Sequence, residues 1–293
     1  MKIRFFNFSK IFIFLFSACH CFFVTRCFGA EQTLRVHFID VGYGDAILVE
    51  FPDSSHMLID AGPPEFSKKL LDYLHSLNIT KLNTVLLTHP HKNHFGGLPH
   101  LVENLTIDRI LINEDKNGEE GYGDLKELLK IKSISTSVLR RGMDIPHLPE
   151  GIVMNVLHPE KITSDANNNS LVTFLQFDRT SFLFTGDIAI DAQEELLRLF
   201  PFVQLADCVQ IPHHGGPISE NFVNFFPKAI FVISTGKNKW GIPHKEDLRK
   251  IRRKTYRTDK KGTIIIKSNS QTLNLIKPLS LHRTRNLSLD FPL

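Results

Sequence analysis

Three histidines fall within six positions of the stretch Thr88-His89-Pro90-His91-Lys92-Asn93-His94-Phe95-Gly96-Gly97. The run before it, Asn83-Thr84-Val85-Leu86-Leu87, is short, apolar and partly β-branched, which reads as a buried strand. Gly96 and Gly97 then lead into Leu98-Pro99-His100-Leu101-Val102, which reads as a turn entering a helix. Imidazoles leaving the end of one strand can converge on a single point. Neutral imidazole is the commonest protein ligand for zinc and related ions. The alternative, three unrelated surface histidines in a loop, does not explain why they follow a buried strand so closely.

The chain has 293 residues, of which 42% are hydrophobic and 23% charged. That is enough for a sizeable core without covalent staples. The first thirty residues differ from the rest. Lys2, Arg4 and Lys10 flank or precede Ile11-Phe12-Ile13-Phe14-Leu15-Phe16, a basic and then a short apolar region. This pattern predicts a secretory signal over 1–30 and a secreted or periplasmic protein. Lipid anchoring through Cys19 is the weaker alternative, because an apolar run rather than a polar tether follows it.

Removing 1–30 takes away four basic residues and no acidic ones, so the formal charge of +4 falls to zero. The remaining chain then has no global basic footprint for nucleic acid or an anionic membrane. Cys19, Cys21 and Cys27 also lie in this segment, which leaves Cys208 alone and predicts no internal disulfide.

From Leu34 onward strands alternate with helices. Strands are predicted at 34–39, 46–51, 56–59, 83–87, 109–112, 152–157, 170–177, 180–185, 208–211 and 229–234, with two more at 263–267 and 271–276. The spacing of Phe66, Leu70, Leu71, Leu74 and Leu77 predicts one helix, and Leu196, Leu197 and Phe200 mark another. The succession fits a single α/β domain over 31–278 with two sheets and helices outside, followed by a tail over 279–293. Lys245 to Lys261 carries nine basic and three acidic residues. It reads as a solvated helix face and a turn in preference to a phosphate-binding groove, because only Tyr256 offers an aromatic ring for base stacking.

Further chemistry sits at two more strand ends: Gly186-Asp187 and Pro212-His213-His214-Gly215. Backbone is rigid there and side chains reach a common cleft. Asp187 reads as a carboxylate that bridges two metal ions, or else as the N-cap of a helix starting near Asp191. His158, at another strand end, is a weaker cleft candidate. His37, His56, His75, His100, His147 and His282 read as structural or surface groups.

With these pieces in order, the sequence resembles the metallo-β-lactamase superfamily. Its HxHxDH loop corresponds to His89, His91, Asn93 and His94. Within it, the pattern is similar to the hydrolase-like domain of the ComEC family of DNA-uptake channels. The matching pieces are Asp40 to Asp45, Ile59 to Gly62, the histidine loop, Asn168 to Ser170, Thr185 to Asp187, Pro212 to Gly215, Ile233 to Gly236 and Arg257 to Asp259.

The resemblance implies a four-layer αββα sandwich with one or two zinc ions, or manganese, in a cleft at one edge. It implies that His89 and His91 bind one metal, that Asp187 bridges, and that His94 with His213 or His214 binds the second. A metal-activated hydroxide would then attack a phosphoryl or acyl centre. It places Asn169 or Ser170 against the substrate or a bound water. The ComEC channel helices are missing here, so no transport role is expected of this chain.

Three departures from the pattern lie near the implied site. Asn93 stands for the loop's aspartate, and a neutral amide brings no charge to a metal. Gln210 stands for a lysine. Trp240-Gly241-Ile242-Pro243 stands for aromatic-Gly-His-Pro, with His244 nearby. The first departure predicts a weakened or absent second metal.

The leading expectation is an exported metal-dependent hydrolase acting on phosphodiesters, with nucleic acid or a cell-surface phosphocholine ester among the candidate substrates. Its alternatives are a one-metal or non-catalytic relative that binds a ligand, and a lactonase or β-lactamase.

Overall fold

The structure is a computed structural model that describes residues 32–276 apart from 117, 252 and 253. The expected secretory segment and C-terminal tail lie outside the described residues. Eight strands form one sheet in the order Leu273–Ile276, Ile264–Ser268, Leu34–Phe38, Ile47–Glu50, His56–Ile59, Thr84–Leu86, Arg109–Ile112 and Ser135–Val138. Six form a second, in the order Thr255–Arg257, Ile230–Ile233, Cys208–Gln210, Thr180–Phe184, Val172–Phe177 and Ile152–His158. A small pair, Lys81–Leu82 with Thr106–Ile107, completes the β structure of the described residues.

Side-chain alternation builds the layers. Successive residues of a strand point to opposite faces. Ile47 and Val49 therefore join one core cluster and Leu48 another, as Met57 and Ile59 separate from Leu58. In the second sheet Phe182 and Phe184 face inward, while Leu183 faces outward. The inward faces of both sheets share a single cluster, so the sheets pack on each other. Phe38, Phe182 and Phe184 are fully buried there, and each contributes about 2 kcal/mol of apolar burial.

The outer faces are covered by helices. Leu70, Leu71 and Leu74 of helix Ser67–Ser76 and Leu125 and Leu129 of helix Tyr122–Ile131 pack on the first sheet. Leu196 and Leu197 of helix Ile190–Leu199 pack on the second. Three cores between four layers make the αββα sandwich that the resemblance implied.

Each sheet is antiparallel in one half and parallel in the other. His56–Ile59, Thr84–Leu86, Arg109–Ile112 and Ser135–Val138 run parallel. So do Thr180–Phe184, Cys208–Gln210, Ile230–Ile233 and Thr255–Arg257. Their carboxyl ends release the loops with the histidines and aspartates, which is where α/β sheets build ligand sites.

Two expectations need correction. The basic stretch is not one helix face and a turn: helix Lys245–Lys250 is followed by strand Thr255–Arg257 and a short helix Thr258–Lys261. Parallel pairing with Ile230–Ile233 outweighs the local charge pattern there. Strand Ser135–Val138 was also not anticipated. All four of its residues are exposed, so it lacks the apolar alternation that marks a strand in sequence.

On the first sheet, His37 Nε2 lies 2.8 Å from Glu50 Oε1, and Arg35 lies 3.7 Å from the same oxygen. Burial pushes the Glu50 carboxyl up, but the hydrogen bond and charge of His37 outweigh it and hold it below its usual value. A lowered folded-state value stabilises the fold above the unfolded value of about 4.3 and is lost as pH falls through the folded one. Glu50→Gln is therefore expected to be less stable than the wild type at pH 7. The gap in melting temperature should close below about pH 4. A gap that persists into acid would remove the ion pair as its cause.

Candidate metal centre

Asp187 Oδ2 is the hub of the site. His94 Nε2 lies 3.2 Å from it, His214 Nε2 3.3 Å, His89 Nε2 3.8 Å and His213 Nε2 4.0 Å. His91 joins through its Nδ1, 3.0 Å from His89 Nε2. Asn93 Nδ2 donates to His214 Nε2 at 2.8 Å. The three chain segments singled out by sequence thus meet at one carboxylate. His89, His94, His214 and Asp187 are buried, while His91, Asn93 and His213 are only half-buried.

The hydrogen-bond network fixes which ring nitrogens are free. His94 Nδ1 donates to Asp60 Oδ2 at 2.8 Å. His214 Nδ1 donates to the Ser234 carbonyl at 3.0 Å. Thr88 Oγ1 gives its own proton to Asp60 at 2.7 Å and accepts from His89 Nδ1 at 3.0 Å. In each ring the Nδ1–H is engaged, and the Nε2 lone pair points towards Asp187. Imidazoles oriented through Nδ1 in this way present Nε2 as a ligand.

Lone pairs facing a buried anion require positive charge between them. Without a cation, protons must supply it. Burial pushes His94 and His214 down, yet Asp187, with Asp60 beside His94 and Asp45 beside His214, outweighs burial and raises both. Burial likewise pushes Asp187 up, but His214 and His94 hold it well below the carboxylate range. His89, desolvated and beside His94, is driven well below its usual value and stays neutral. Asp187 Oδ1 is buried with no hydrogen-bond partner. An orphaned carboxylate oxygen within a set of nitrogen lone pairs fits a divalent cation.

Asp45, His94, Asp187 and His214 offer atoms that all lie within 4.8 Å of one another. Asp45 differs in its approach. Its Oδ2 lies 3.9 Å from the Nδ1 of both His94 and His214, Gln210 Nε2 donates to it at 2.8 Å, and its Oδ1 is buried with no hydrogen-bond partner. Asp187 lies nearest the Nε2 atoms of the two rings and Asp45 nearest their Nδ1 atoms, and both carboxylates belong to the same cluster. Burial pushes the Asp45 carboxyl up, His214 and His94 oppose this, and it settles at about 6.

Local backbone holds this arrangement. Asp60, His213 and His214 adopt left-handed conformations, with φ of 57, 51 and 56°. Such strain in non-glycine residues clusters at functional sites. Gly44 lets the Asp40–Asp45 turn touch the histidine loop: a Cβ there would meet the Asn93 carbonyl oxygen at 2.3 Å. Ser170 is buried, accepts from the Asp187 N–H at 2.9 Å and touches His89 Nδ1 at 3.2 Å. Its geometry is that of a support for those two residues.

Other sequence candidates lie elsewhere. Asn169 is fully buried and bonds Asp115 and Thr163, because the Asn167–Asn169 turn points it beneath the site. His158 contacts the Asn168 carbonyl at 2.6 Å. Asp187 caps no helix, since the following one begins at Ile190 with Ala189 as its cap. Sequence reasoning gave no role to Asp45, Asp60 or Tyr43. Asp45 ends a glycine-bearing turn and Asp60 follows strand His56–Ile59, which was the available signal. Tyr43 packs against His214, with ring centroids 4.6 Å apart and planes at 58°. Burial, with Asp187 and Asp45 adding, pushes its phenol far up, so it stays protonated.

An αββα sandwich with imidazoles and a shared carboxylate at its parallel strand ends defines a metallohydrolase type of site. A family model described as the Metallo-beta-lactamase superfamily matches residues 39–230, more than half of the chain. The chain belongs to that superfamily, whose members are metal-dependent hydrolases.

Among curated proteins it is 27% identical over 266 residues to ComE operon protein 3 of Bacillus subtilis (strain 168), covering 83% of this chain and 34% of that protein. It is 25% identical over 223 residues to the uncharacterised protein YcaI of Escherichia coli (strain K12), covering 71% of this chain and 26% of that one. The chain thus spans about a third or less of these relatives' length. Among solved structures, a CmlA beta-hydroxylase variant superposes with a TM-score of 0.53 at 13% identity, covering 79% of this chain and 53% of that one. That likeness concerns the fold alone. No helix among the described residues is long and apolar enough to cross a membrane.

Proposed function

We propose that this protein is a metal-dependent phosphodiesterase that acts outside the cytoplasm, with zinc or manganese at the Asp187 cluster. The observation that carries the reading is the convergence of imidazole Nε2 lone pairs on a buried carboxylate whose second oxygen has no partner. His89, His91 and Asp187 would hold one cation, and His94 with His213 or His214 a second. A divalent cation bound there supplies Lewis-acid activation of water and neutralises charge on a phosphoryl oxygen.

The chain's own residues do the rest. Asp60, Thr88 and Ser234 fix the ring tautomers, and Ser170 fixes the Asp187 backbone. The protonated Tyr43 phenol, close to Asp187 and Asp45, is a donor for a substrate oxygen. The half-buried His91, Asn93 and His213 are the members of the cluster that solvent, and hence a substrate, would reach. Export is supported by the sequence of residues 1–30, with its basic and apolar segments.

One observation favours a one-cation relative. The Asn93 amide donates to the His214 Nε2 lone pair that a second cation would use. Asn93→Asp is expected to raise affinity for a second cation about tenfold, the scale on which one supporting contact tunes a metal. Elemental analysis with initial rates on bis-p-nitrophenyl phosphate checks this. Wild-type protein that holds no metal and cleaves no diester would overturn the phosphodiesterase reading, and faster turnover of a lactone or β-lactam would replace it.

A further inference from the structure

Tyr43 is sandwiched between the site and the surface. On its inner side is the His214 ring, with centroids 4.6 Å apart and planes at 58°. On its outer side is Trp240, with centroids 4.9 Å apart and planes at 34°. Trp240 is 55% exposed. A continuous run of rings therefore leads from a candidate ligand imidazole out to solvent.

The run is built into the backbone. Gly236 packs directly on the Gly42–Tyr43 peptide: a Cβ at Gly236 would lie 2.4 Å from the Gly42 carbonyl carbon and 2.8 Å from the Tyr43 nitrogen. Asn238 ties the loop that follows. Its Oδ1 accepts from the Trp240 and Ile242 N–H groups, both at 3.1 Å, and its Nδ2 donates to the Gly236 and Ile242 carbonyls. At the far end Pro243 abuts Gly215 of the His213-His214 segment. An exposed tryptophan held this firmly has no share in the hydrophobic core clusters.

We propose that Trp240, backed by Tyr43, forms a shelf that stacks the base of a nucleotide phosphodiester beside the Asp187 cluster. The inference rests on the phosphodiesterase reading and narrows its substrate to diesters that carry a flat, aromatic group. Two features select a base over a quaternary ammonium headgroup, the other ligand that aromatic rings favour. Lys239 Nζ sits over the Trp240 ring, 5.0 Å from the indole centroid, so a group that stacks on that face meets a positive charge. A cationic headgroup would meet repulsion there. A base would displace the flexible lysine and leave its ammonium next to the phosphate. Stacking also tolerates any base, which suits a site with no other base-reading group identified.

The test uses two esters that release the same nitrophenolate: the p-nitrophenyl ester of thymidine 5′-phosphate and methyl p-nitrophenyl phosphate. Trp240→Leu is expected to raise KM for the nucleoside ester about tenfold, with kcat within about twofold, and to leave the methyl ester unchanged. Trp240→Phe should keep the wild-type KM. Equal effects on both esters, or none, would overturn the shelf.

Trp240 is the chain's one tryptophan, so intrinsic fluorescence reads this position alone. Saturable quenching by a thymidine dinucleotide, absent with dimethyl phosphate, is expected. Stronger quenching by glycerophosphocholine would overturn the choice of a base. If wild-type protein cleaves neither ester, the phosphodiesterase reading fails by itself. The shelf is then decided by the fluorescence alone, where dinucleotide quenching supports it and its absence overturns it.

Discussion

Replacing Asp187 by asparagine is expected to lower phosphodiester turnover about 10³-fold and to remove most of the bound cation. The amide keeps the volume of the carboxylate and loses its charge. It also turns N–H donors towards the Nε2 lone pairs of His94, His214 and His89, which now lie 3.2, 3.3 and 3.8 Å from Asp187 Oδ2. Those lone pairs would be taken up by the amide protons, and no anion would remain to hold a cation among them. The fold should survive, because buried His94 and His214 shed their protons once the Asp187 charge is gone, and the amide leaves no cavity. Cooperative thermal unfolding with lost metal and lost turnover is the expected combination. Turnover within about tenfold of wild type would place the chemistry elsewhere.

Asp60→Ala is expected to act on both stability and metal affinity. Asp60 accepts from the Thr88 backbone N–H at 2.8 Å, from Thr88 Oγ1 at 2.7 Å and from His94 Nδ1 at 2.8 Å. All three groups are buried. Alanine would strand the Thr88 N–H, which costs about 1–3 kcal/mol, and would leave the positive φ without a compensating side-chain bond. A loss near 3 kcal/mol is expected in denaturant unfolding, on the order of two such stranded groups. His94 would also lose its orienting partner, for an affinity lower by about 10–100-fold in calorimetric titration. Asp60→Asn keeps an acceptor for Thr88 and should cost markedly less of both. Equal losses for the two variants would show that the carboxylate charge, and not the hydrogen bonds, matters at this position.

The histidine loop was legible because its signal is local. A buried strand, three closely spaced imidazoles and paired glycines lie in one stretch, and their side chains meet with ring centroids 4.1 to 4.6 Å apart. Strand alternation was legible wherever burial on both faces made it apolar. It failed for Ser135–Val138, an exposed edge, and for Thr255–Arg257, where charge hid a paired strand. Asp45 and Asp60 appeared only as parts of motifs. Their roles depend on which imidazole nitrogen they face, and that is set by two loops packing at right distance through Gly44. Asn169 and Ser170 are adjacent in the chain, yet only Ser170 touches Asp187 and His89. A tight turn sends adjacent side chains to opposite sides, and one of them goes down to Asp115.

By itself the sequence determined the family, the four layers and the segments that bear histidine and aspartate, because periodicity and short motifs are properties of neighbouring residues. Only the tertiary structure decided that Asp187 is the hub, that Asp45 joins its cluster, that Asn93 covers a lone pair, and that Trp240 extends the site outward. Those are distances between residues far apart in the chain. They are fixed when two sheets close on a common core, and no local pattern carries them.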